Sequence, residues 1–460
     1  MSLSAEPLAQ KEQQVDALQD ELAIQSITRL FWRYAMPTVV SMLATGIYVT
    51  VDGMFIGHFL GETGLAAITL AYPVGAVIYA IGALVGMGSA ALASLQLGKG
   101  NLSAARQIIG NSILVSIIAG VLLAIIGISS REFVLGLIGV SGEVLTYSKT
   151  YLFWYFLLSV FPILSMTFTA MLRNDGFPLR VTLIQIGCGV LNIVLDWLLI
   201  VVIPLDFAGV AIATMICQGV AAWLCMRHFF SADCRLRIGR EQLRLSWHWS
   251  KQMLRLGVPS MMMTLYLSVV LTLHNLAFLW QGSAIHLAAY GVVSYTEALF
   301  YLIFEGIALG TQPLLSFNVG AGLYDRVRQT VKLALSLSLL VAILGMGFIY
   351  SKPEWLVFLF AGDNPQLTPY AVEGMYLYFW GLPMEGMVLV GAALFQAMNR
   401  PKEANLLTGS KLLLIGLLLA SLGALFGVNG VWVSLSCCST LLAVWMLRKF
   451  NQLQQRTLAT

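Results

Sequence analysis

The sequence predicts an all-α integral membrane protein of twelve transmembrane helices, arranged as two pseudo-symmetric six-helix bundles around a central cavity. Three observations predict this fold: an apolar composition, a series of long apolar segments and an internal repeat. Of the 460 residues, 58% are hydrophobic and only 10% are charged, whereas about 25% charged residues is usual in a soluble domain. The mean hydropathy is +0.83. Lipid is therefore the expected solvent for most of the surface.

Twelve apolar segments are long enough to cross a bilayer, because a helical span requires about 20 residues. The spans are predicted at 32–59, 65–95, 104–129, 146–171, 178–202, 208–229, 254–280, 287–315, 328–350, 369–397, 402–426 and 430–447. The polar segment 1–28 does not resemble a cleavable signal peptide. It is expected to be a cytoplasmic segment, either a short amphipathic helix or disordered.

The distribution of basic residues predicts the orientation. An even number of spans places both termini on one side of the membrane. Of the 26 Lys and Arg residues, all fall on that side except Arg131, Lys149 and Lys352 on the other side and Lys411 within a span. The positive-inside rule therefore predicts cytoplasmic termini. The basic residues form no stripe with interleaved aromatic residues, so nucleic acid is not an expected partner.

Paired prolines and glycines reveal the repeat. Pro37 and Pro259 open spans one and seven and are 222 positions apart, and the same offset relates Gly98–Gly100 to Gly320–Gly322. Further pairs match within one residue of this offset: Pro162 with Pro383, Gly209 with Gly430, and Pro178 with Pro401. The predicted units are an N-terminal segment (1–28), an N-half (29–229, spans 1–6), a basic cytoplasmic linker (230–250), a C-half (251–450, spans 7–12) and a tail (451–460). Such folds place a cavity between the halves and alternate access by rocking.

Proline can kink a membrane helix because it removes one backbone hydrogen bond. Pro37 and Pro259 occupy matching places in the two halves. They are therefore predicted to serve conformational change.

Charged side chains within the spans are costly unless paired or hydrated, so each is a functional candidate. In the N-half, Asp52 lies about 28 Å along span one from Arg33, and Asp196 lies about 27 Å along span five from Pro178. Both spans begin at the cytoplasm, so the two carboxylates are expected at similar depth. Asn192 is one turn before Asp196, and Thr214 of span six is predicted at a similar level. This oxygen-rich cluster suits Na⁺ or a proton.

The C-half does not repeat this cluster, because the positions equivalent to Asp52 and Asp196 are His274 and Leu418. It offers Glu297 and Glu305 on one face of span eight, and we predict that they contact a cationic substrate. His274 and Asn275 are further substrate-binding candidates. Glu385 and Lys411 are each 13 residues from the turn at Met398, so a structural salt bridge between their helices is predicted.

The six cysteines show no spacing typical of metal ligands. They are Cys188, Cys217, Cys225, Cys234, Cys437 and Cys438. We expect them to pack as small apolar residues.

With these features in place, the chain resembles the multidrug and toxin extrusion (MATE) family from about Leu30 to Lys449. The segments that carry the resemblance are VDGMFIGH at Val51–His58, GKGNL at Gly98–Leu102, NIVLD at Asn192–Asp196, GVAIAT at Gly209–Thr214 and NVGAG at Asn318–Gly322. The resemblance implies that Asp52, Asn192, Asp196 and Thr214 match the family's N-lobe cation site, with Na⁺ a candidate metal at the first three. Some members have a C-lobe cation site with acids in spans seven and ten, and only Glu385 matches here.

The resemblance also implies a secondary active exporter, located in the cell membrane, that confers drug resistance. It would export small, often lipophilic organic cations by antiport with Na⁺ or H⁺. No other cofactor is expected, and the predicted partners are membrane lipids, with the chain a monomer. A flippase for lipid-linked precursors is the alternative, although Lys411 is the one intramembrane base that could meet a phosphate. An enzyme is not predicted, since no HExxH, GxSxG or paired-aspartate motif occurs at a suitable place.

Overall fold

The computed structural model describes residues 21–137, 139, 141–231, 234 and 236–458. Most of the predicted N-terminal segment, Arg235 of the linker and the last two residues lie outside this part of the chain. Residues 21–24 are helical. Among the described residues the chain is almost entirely helical and contains no strand, which confirms the predicted fold class.

Twelve spans account for the described part of the chain. They are α1 (Ile27–Gly61), α2 (Ala66–Gly98), α3 (Leu102–Leu137), α4 (Gly142–Leu157 and Val160–Asn174), α5 (Pro178–Asp196, continued by a π-helix at Trp197–Val202), α6 (Asp206–His228), α7 (Trp247–Gln281), α8 (Ala284–Gly320), α9 (Tyr324–Ser351), α10 (Thr368–Phe379 and Leu382–Ala397), and α11 and α12, the parts of Pro401–Leu458 before and after the backbone break at Gly427. A short helix, Pro353–Ala361, links α9 to α10, and the linker contains a 3-10 turn at Arg240–Gln242. Helices satisfy their backbone hydrogen bonds internally, as a hydrocarbon environment demands.

The two halves repeat the same bend. Spans α4 and α10 each bend by 51° at a short break. The second part of α4 begins at Val160 and that of α10 at Leu382, so Pro162 and Pro383 each lie in the turn after the bend. By contrast, α1 and α7 continue as helices through Pro37 and Pro259. The paired breaks in the helices thus occur next to Pro162 and Pro383.

The ends of α2 and α8 are also repeated. Gly100 and Gly322 have φ angles of 76° and 72°, in the left-handed region that glycine adopts without a Cβ penalty. The following amides close the same cap, since Asn101 N donates to Gln96 O and Leu323 N to Asn318 O, both at 2.9 Å. This agreement is local evidence for the duplicated unit.

We call the face of the bundle that bears both chain ends the terminal face, and the opposite face the distal face. The two halves meet through glycines in the parts of α1, α2, α7 and α8 nearest the terminal face. A Cβ built on Gly98 would lie 2.1 Å from Phe317 O, and one on Gly320 would lie 2.1 Å from Leu95 O. Ser94 Oγ adds a hydrogen bond across the same seam to Pro313 O, at 3.0 Å. The terminal face is therefore closed in this structure.

The outer surface of the spans is apolar. Large side chains with high exposure occur on several helices, such as Phe133 at 70% and Leu413 at 72%. Soluble proteins rarely expose wide apolar surfaces, whereas lipid covers them at no cost. The polar interior groups described next are therefore shielded by hydrocarbon as well as by protein.

Candidate functional site

The predicted N-half cluster forms where α1, α5 and α6 meet. Asp196 and Asn192 on α5 are 0% and 1% exposed, Thr214 on α6 is buried, and Asp52 on α1 is half-buried. The Asp52 and Asp196 carboxylates lie within electrostatic range of each other. Cys217, about one turn after Thr214, lies within electrostatic range of both.

Polar atoms in this cluster lack partners within the described part of the chain. Asp52 Oδ1, both Asp196 oxygens and both polar atoms of Asn192 are buried without a hydrogen-bond donor or acceptor. The Thr214 hydroxyl does have a hydrogen-bond partner, because Oγ1 donates to Val210 O at 3.1 Å. Buried polar groups are normally paired, and two adjacent carboxylates repel unless a proton or a cation lies between them. The cluster is chemically suited to hold one positive charge.

Two local features position α5 around the cluster. Thr182 Oγ1 on α5 donates to Pro37 O on α1 at 2.6 Å, which fixes the two helices near the terminal face. The α-helical part of α5 ends at Asp196, and a π-helix follows at Trp197–Val202. A π-helix shifts the side chains that follow it around the axis and is frequently found at functional sites. No feature of the sequence analysis predicted it.

The C-half contains a different cluster, built around Glu385 on α10. Lys411 Nζ on α11 donates to Glu385 Oε1, and Ser439 Oγ on α12 donates to Glu385 Oε2. The Lys411 ammonium also lies over the ring of Tyr266 from α7, 3.7 Å from its centroid. Glu385 and Lys411 are 6% and 5% exposed. This carboxylate is neutralised by a cation of the chain itself.

Glu297 of α8 lies beside this cluster. Tyr378 Oη donates to Glu297 Oε2, and Glu297 and Glu385 line one small cavity together with Tyr378, Ser436 and Ser439. A second cavity, apolar and aromatic, is lined by Met262, Met263, Tyr266, Tyr301, Thr408 and Lys411 among others. These tyrosines and serines were not predicted, because their residue types are common and only the fold brings them to the acids.

The remaining substrate-binding candidates occupy different surroundings. Glu305, two turns beyond Glu297, is half-buried, and Arg173 of the N-half is near enough to act on it electrostatically. His274 is fully buried, stacks on Tyr290 with 5.0 Å between ring centroids, and bonds through Nδ1 to Val270 O at 2.9 Å. Asn275 is half-buried. Glu297 and Glu305 therefore lie in two separate polar environments.

Comparison with known proteins identifies related sequences along almost the whole chain. The model of the MatE family matches residues 37–198 and 259–422, two segments whose starts are separated by the repeat offset. A multidrug export protein MepA of Staphylococcus haemolyticus is 25% identical over 418 residues, covering 91% of this chain and 92% of that protein. MepA of Staphylococcus aureus is 24% identical over 433 residues, covering 92% and 94%.

Solved structures show the same fold at lower identity. A multidrug resistance MATE family transporter of the MOP superfamily, in an outward-facing conformation, superposes with a TM-score of 0.89 at 20% identity, covering 95% of this chain and 98% of that one. A MOP superfamily transporter from Pyrococcus furiosus, described as having a binding pocket of reverse polarity, superposes with a TM-score of 0.88 at 20% identity and the same coverage.

Proposed function

Because this chain belongs to the MatE family of multi-pass membrane transporters, we propose that it exports organic cations by antiport with Na⁺ or a proton. One observation carries the proposal. The Asp52 and Asp196 carboxylates lie within electrostatic range of each other, and the buried polar atoms of Asn192, one turn before Asp196, have no described partner. Intramembrane acids of this kind mark ion pathways and proton relays.

The coupling ion acts by favouring one of two conformations. Antiport requires that ion and substrate stabilise different states or exclude each other. The proposed cycle begins when an ion enters from the distal face and neutralises the pair of aspartates. The closed seam at the terminal face supports this order, because entry from that side is blocked here. Ion binding then favours reorganisation of the N-half and opening of the terminal face to substrate.

The excess of basic residues at the terminal face supports a cytoplasmic location for it. The structure then corresponds to a conformation closed to the cytoplasm. Export from the cytoplasm agrees with the names of the MepA relatives, which are multidrug export proteins. A flippase for anionic lipid precursors is less favoured, because Lys411 is already paired with Glu385.

We assign cation recognition to Glu297 and Glu305 on α8. Both lie along the span that borders the halves, and the neighbouring cavity has methionine and tyrosine walls. Flexible methionine and aromatic side chains adapt to differently shaped lipophilic cations. The coupling ion and the substrate would thus use acids in different halves.

The coupling site is tested in proteoliposomes with a substrate gradient and either a Na⁺ or a pH gradient imposed separately. We expect Asp52→Asn and Asp196→Asn to abolish ion-driven efflux while preserving binding of a cationic dye. Asp206→Asn is the matched control, because Asp206 is exposed at the start of α6 and has a φ of 46° that asparagine also tolerates. Wild-type coupling in both site variants, at equal reconstitution, would falsify the proposed site.

Substrate recognition is tested by dye binding to Glu297→Gln and Glu305→Gln, with the exposed Glu354→Gln as control. We expect at least a tenfold weaker affinity for one of the two site variants, about 1.4 kcal/mol. Affinities equal to that of Glu354→Gln would show that these acids only brace helices.

A further inference from the structure

A buried polar cluster at the terminal face joins three parts of the chain that the proposed transport sites do not use. Asp175 caps the end of α4, His228 is the last residue of α6, and Cys234 belongs to the linker. Their exposures are 0%, 6% and 4%. One ligand atom from each, a carboxylate oxygen, an imidazole nitrogen and the thiol sulfur, lie within 4.8 Å of one another.

The hydrogen bonds in this cluster are unevenly distributed. His228 Nε2 lies 2.6 Å from Asp175 Oδ2, and Cys234 Sγ donates to the same oxygen at 3.6 Å. Asp175 Oδ1 is buried without any hydrogen-bond partner among the described residues. A buried carboxylate oxygen with no donor is costly, so this oxygen is available to a further hydrogen-bond donor or to a cation.

The far side of the imidazole can adapt to a ligand. Arg180 Nη1 approaches His228 Nδ1 at 3.3 Å, and since guanidinium only donates, Nδ1 accepts and Nε2 carries the proton. Arg180 is exposed, so it can turn away into solvent. Phe177 and Phe229 pack edge-on against the ring, with centroids 5.0 and 5.4 Å away, and hold it in place.

We infer that Asp175, His228 and Cys234 form a binding site for a borderline-soft divalent cation, with Zn²⁺ the best match. Carboxylate, imidazole and thiolate are the ligand types that zinc prefers. One Asp⁻, one Cys⁻ and a neutral His balance the double charge of the ion, so the ligand set itself is neutral when the ion is bound. Arg106 lies within electrostatic range of Cys234 and would further stabilise its thiolate. The fourth position belongs to Asp175 Oδ1 or a water molecule.

Two of the three ligand pairs have known spacings, and the third, His228 with Cys234, lies within 4.8 Å. Ligand atoms around tetrahedral zinc lie roughly 3.3 to 3.8 Å apart, as bond lengths near 2.0 to 2.3 Å require. The pair of Cys234 Sγ and Asp175 Oδ2 already meets this spacing. The imidazole nitrogen must move from Asp175 Oδ2 by less than about 1 Å.

Metal binding requires one proton to leave and one to move. The Cys234 thiol donates to Asp175 Oδ2 in this structure, so it is protonated before the metal binds. The cation displaces that proton to solvent. The imidazole proton shifts from Nε2 to Nδ1, which releases Arg180, and Nε2 becomes a metal ligand.

Cys234 was expected to be a packing residue, because no Cys/His spacing typical of metal sites occurs in the sequence. The structure instead assembles the ligands from two helix ends and a loop. A cation there would fasten the linker to the N-half, at the point where the linker leaves α6. The site would thus stabilise the terminal face of one half, separately from the coupling ion.

The test uses the full chain without a histidine tag, purified in detergent and freed of metal. Zinc stoichiometry is measured by elemental analysis after gel filtration, and Co²⁺ is added as a spectroscopic probe. We expect one zinc per chain and a thiolate-to-cobalt charge-transfer band. Cys234→Ser should remove the band and weaken zinc binding at least tenfold, whereas Cys437→Ser, which removes a half-buried thiol elsewhere, should change neither. A band that is absent from the wild type, or that persists in Cys234→Ser, overturns the site.

A second measurement uses the wild-type chain, so it does not depend on whether a variant folds. Reaction of Cys234 with a maleimide is followed by mass spectrometry, with and without Zn²⁺, and Cys437 in the same molecule is the internal control. Protection of Cys234 alone, reversed by a chelator, supports the site. Equal reaction rates with and without Zn²⁺ contradict it, whatever the outcome for transport.

Discussion

Lys411 on α11 donates to the carboxylate of Glu385 on α10 inside the C-half, and both side chains are less than one-tenth exposed. Ser439 on α12 and the Tyr266 ring on α7 complete the surroundings of the pair. Four helices of one half are therefore joined through two opposite charges. The N-half contrasts with this arrangement, since Asp52 and Asp196 have no cationic side chain among their described contacts. This difference supports separate roles for the two clusters, bracing in the C-half and ion exchange in the N-half.

Removing the lysine should destabilise the C-half. Lys411→Met leaves the Glu385 charge buried without a counter-charge, and breaking a buried pair costs about 3–5 kcal/mol. We expect a clear loss of thermal stability in detergent. The double variant Lys411→Met with Glu385→Gln should recover most of the loss, because no unpaired charge remains. The exposed Lys402→Met is the control, and equal stability of Lys411→Met and Lys402→Met would rule out a bracing role.

Arg326 at the start of α9 ties the first described residues to the C-half. Its Nη2 donates to Leu22 O at 2.7 Å and Gln25 O at 2.8 Å, and its Nε donates to Asn318 Oδ1 at 2.9 Å. Leu22 is 1% exposed, so the segment before α1 is packed as well as bonded.

Loss of this arginine should release that segment. Hydrogen bonds to charged groups contribute about 1.5–3 kcal/mol each, so Arg326→Gln should speed proteolytic cleavage before Ile27 by at least about tenfold. Limited proteolysis followed by mass spectrometry measures the rate. Arg328→Gln, an exposed arginine two residues away, should cleave at the wild-type rate. Identical rates for both variants would mean that the other contacts of the segment, the packing of Leu22 and the ion pair of Glu21 with Arg33, are sufficient to hold it.

The fold could be predicted from sequence because lipid imposes a simple rule on it. The lengths of the apolar segments were sufficient to predict the spans. The paired prolines Pro162 and Pro383 lie next to equal bends of 51°. Prediction was weaker where the backbone departs from a regular helix. The breaks at Gly61 and Gly427 fall in the predicted gaps between spans, whereas the π-helix after Asp196 was not predicted, because apolar length does not encode it.

The candidate sites show the same limit. Asp52 and Asp196 could be paired from sequence, because helix rise gives depth and both spans start at one face. Depth does not give the direction in which a side chain points. For this reason the partners Tyr378 and Ser439 were missed, and the cluster around Cys234 was not foreseen at all.

Two buried asparagines should respond in opposite ways to the same substitution. Both polar atoms of Asn192 lack described partners, whereas Asn111 Nδ2 donates to Ser250 Oγ at 3.1 Å and its Oδ1 accepts from Ser246 N at 2.8 Å. Asn192→Leu removes unsatisfied groups and should leave stability unchanged or raised, measured without coupling ion. Asn111→Leu strands the Ser246 amide and should cost about 1–3 kcal/mol.

The functional readout of Asn192→Leu is the stabilisation that a bound ion provides, which follows from linkage. The wild type should unfold at a higher temperature as the coupling ion is added, and Asn192→Leu should lose this response. Asn111→Leu should keep it despite its lower stability. An unchanged ion response in Asn192→Leu would remove this residue from the proposed site.

Gly98 and Gly320 determine how closely the halves approach at the terminal face. A Cβ at either position would lie 2.1 Å from a carbonyl oxygen of the other half, so the backbones must separate to admit alanine. Overpacking of this kind costs about 1–3 kcal/mol, equivalent to a roughly 5- to 150-fold change in the balance of two states. Gly98→Ala should therefore shift the population towards a terminal face that is open.

Spin labels at the exposed positions Lys99 and Tyr324 report the separation by double electron–electron resonance, in a background without other reactive cysteines. Gly347→Ala is the control, since a Cβ there would meet nothing within 4 Å, and it should reproduce the wild-type distances. A Gly98→Ala distribution identical to that control would show that the seam does not limit opening.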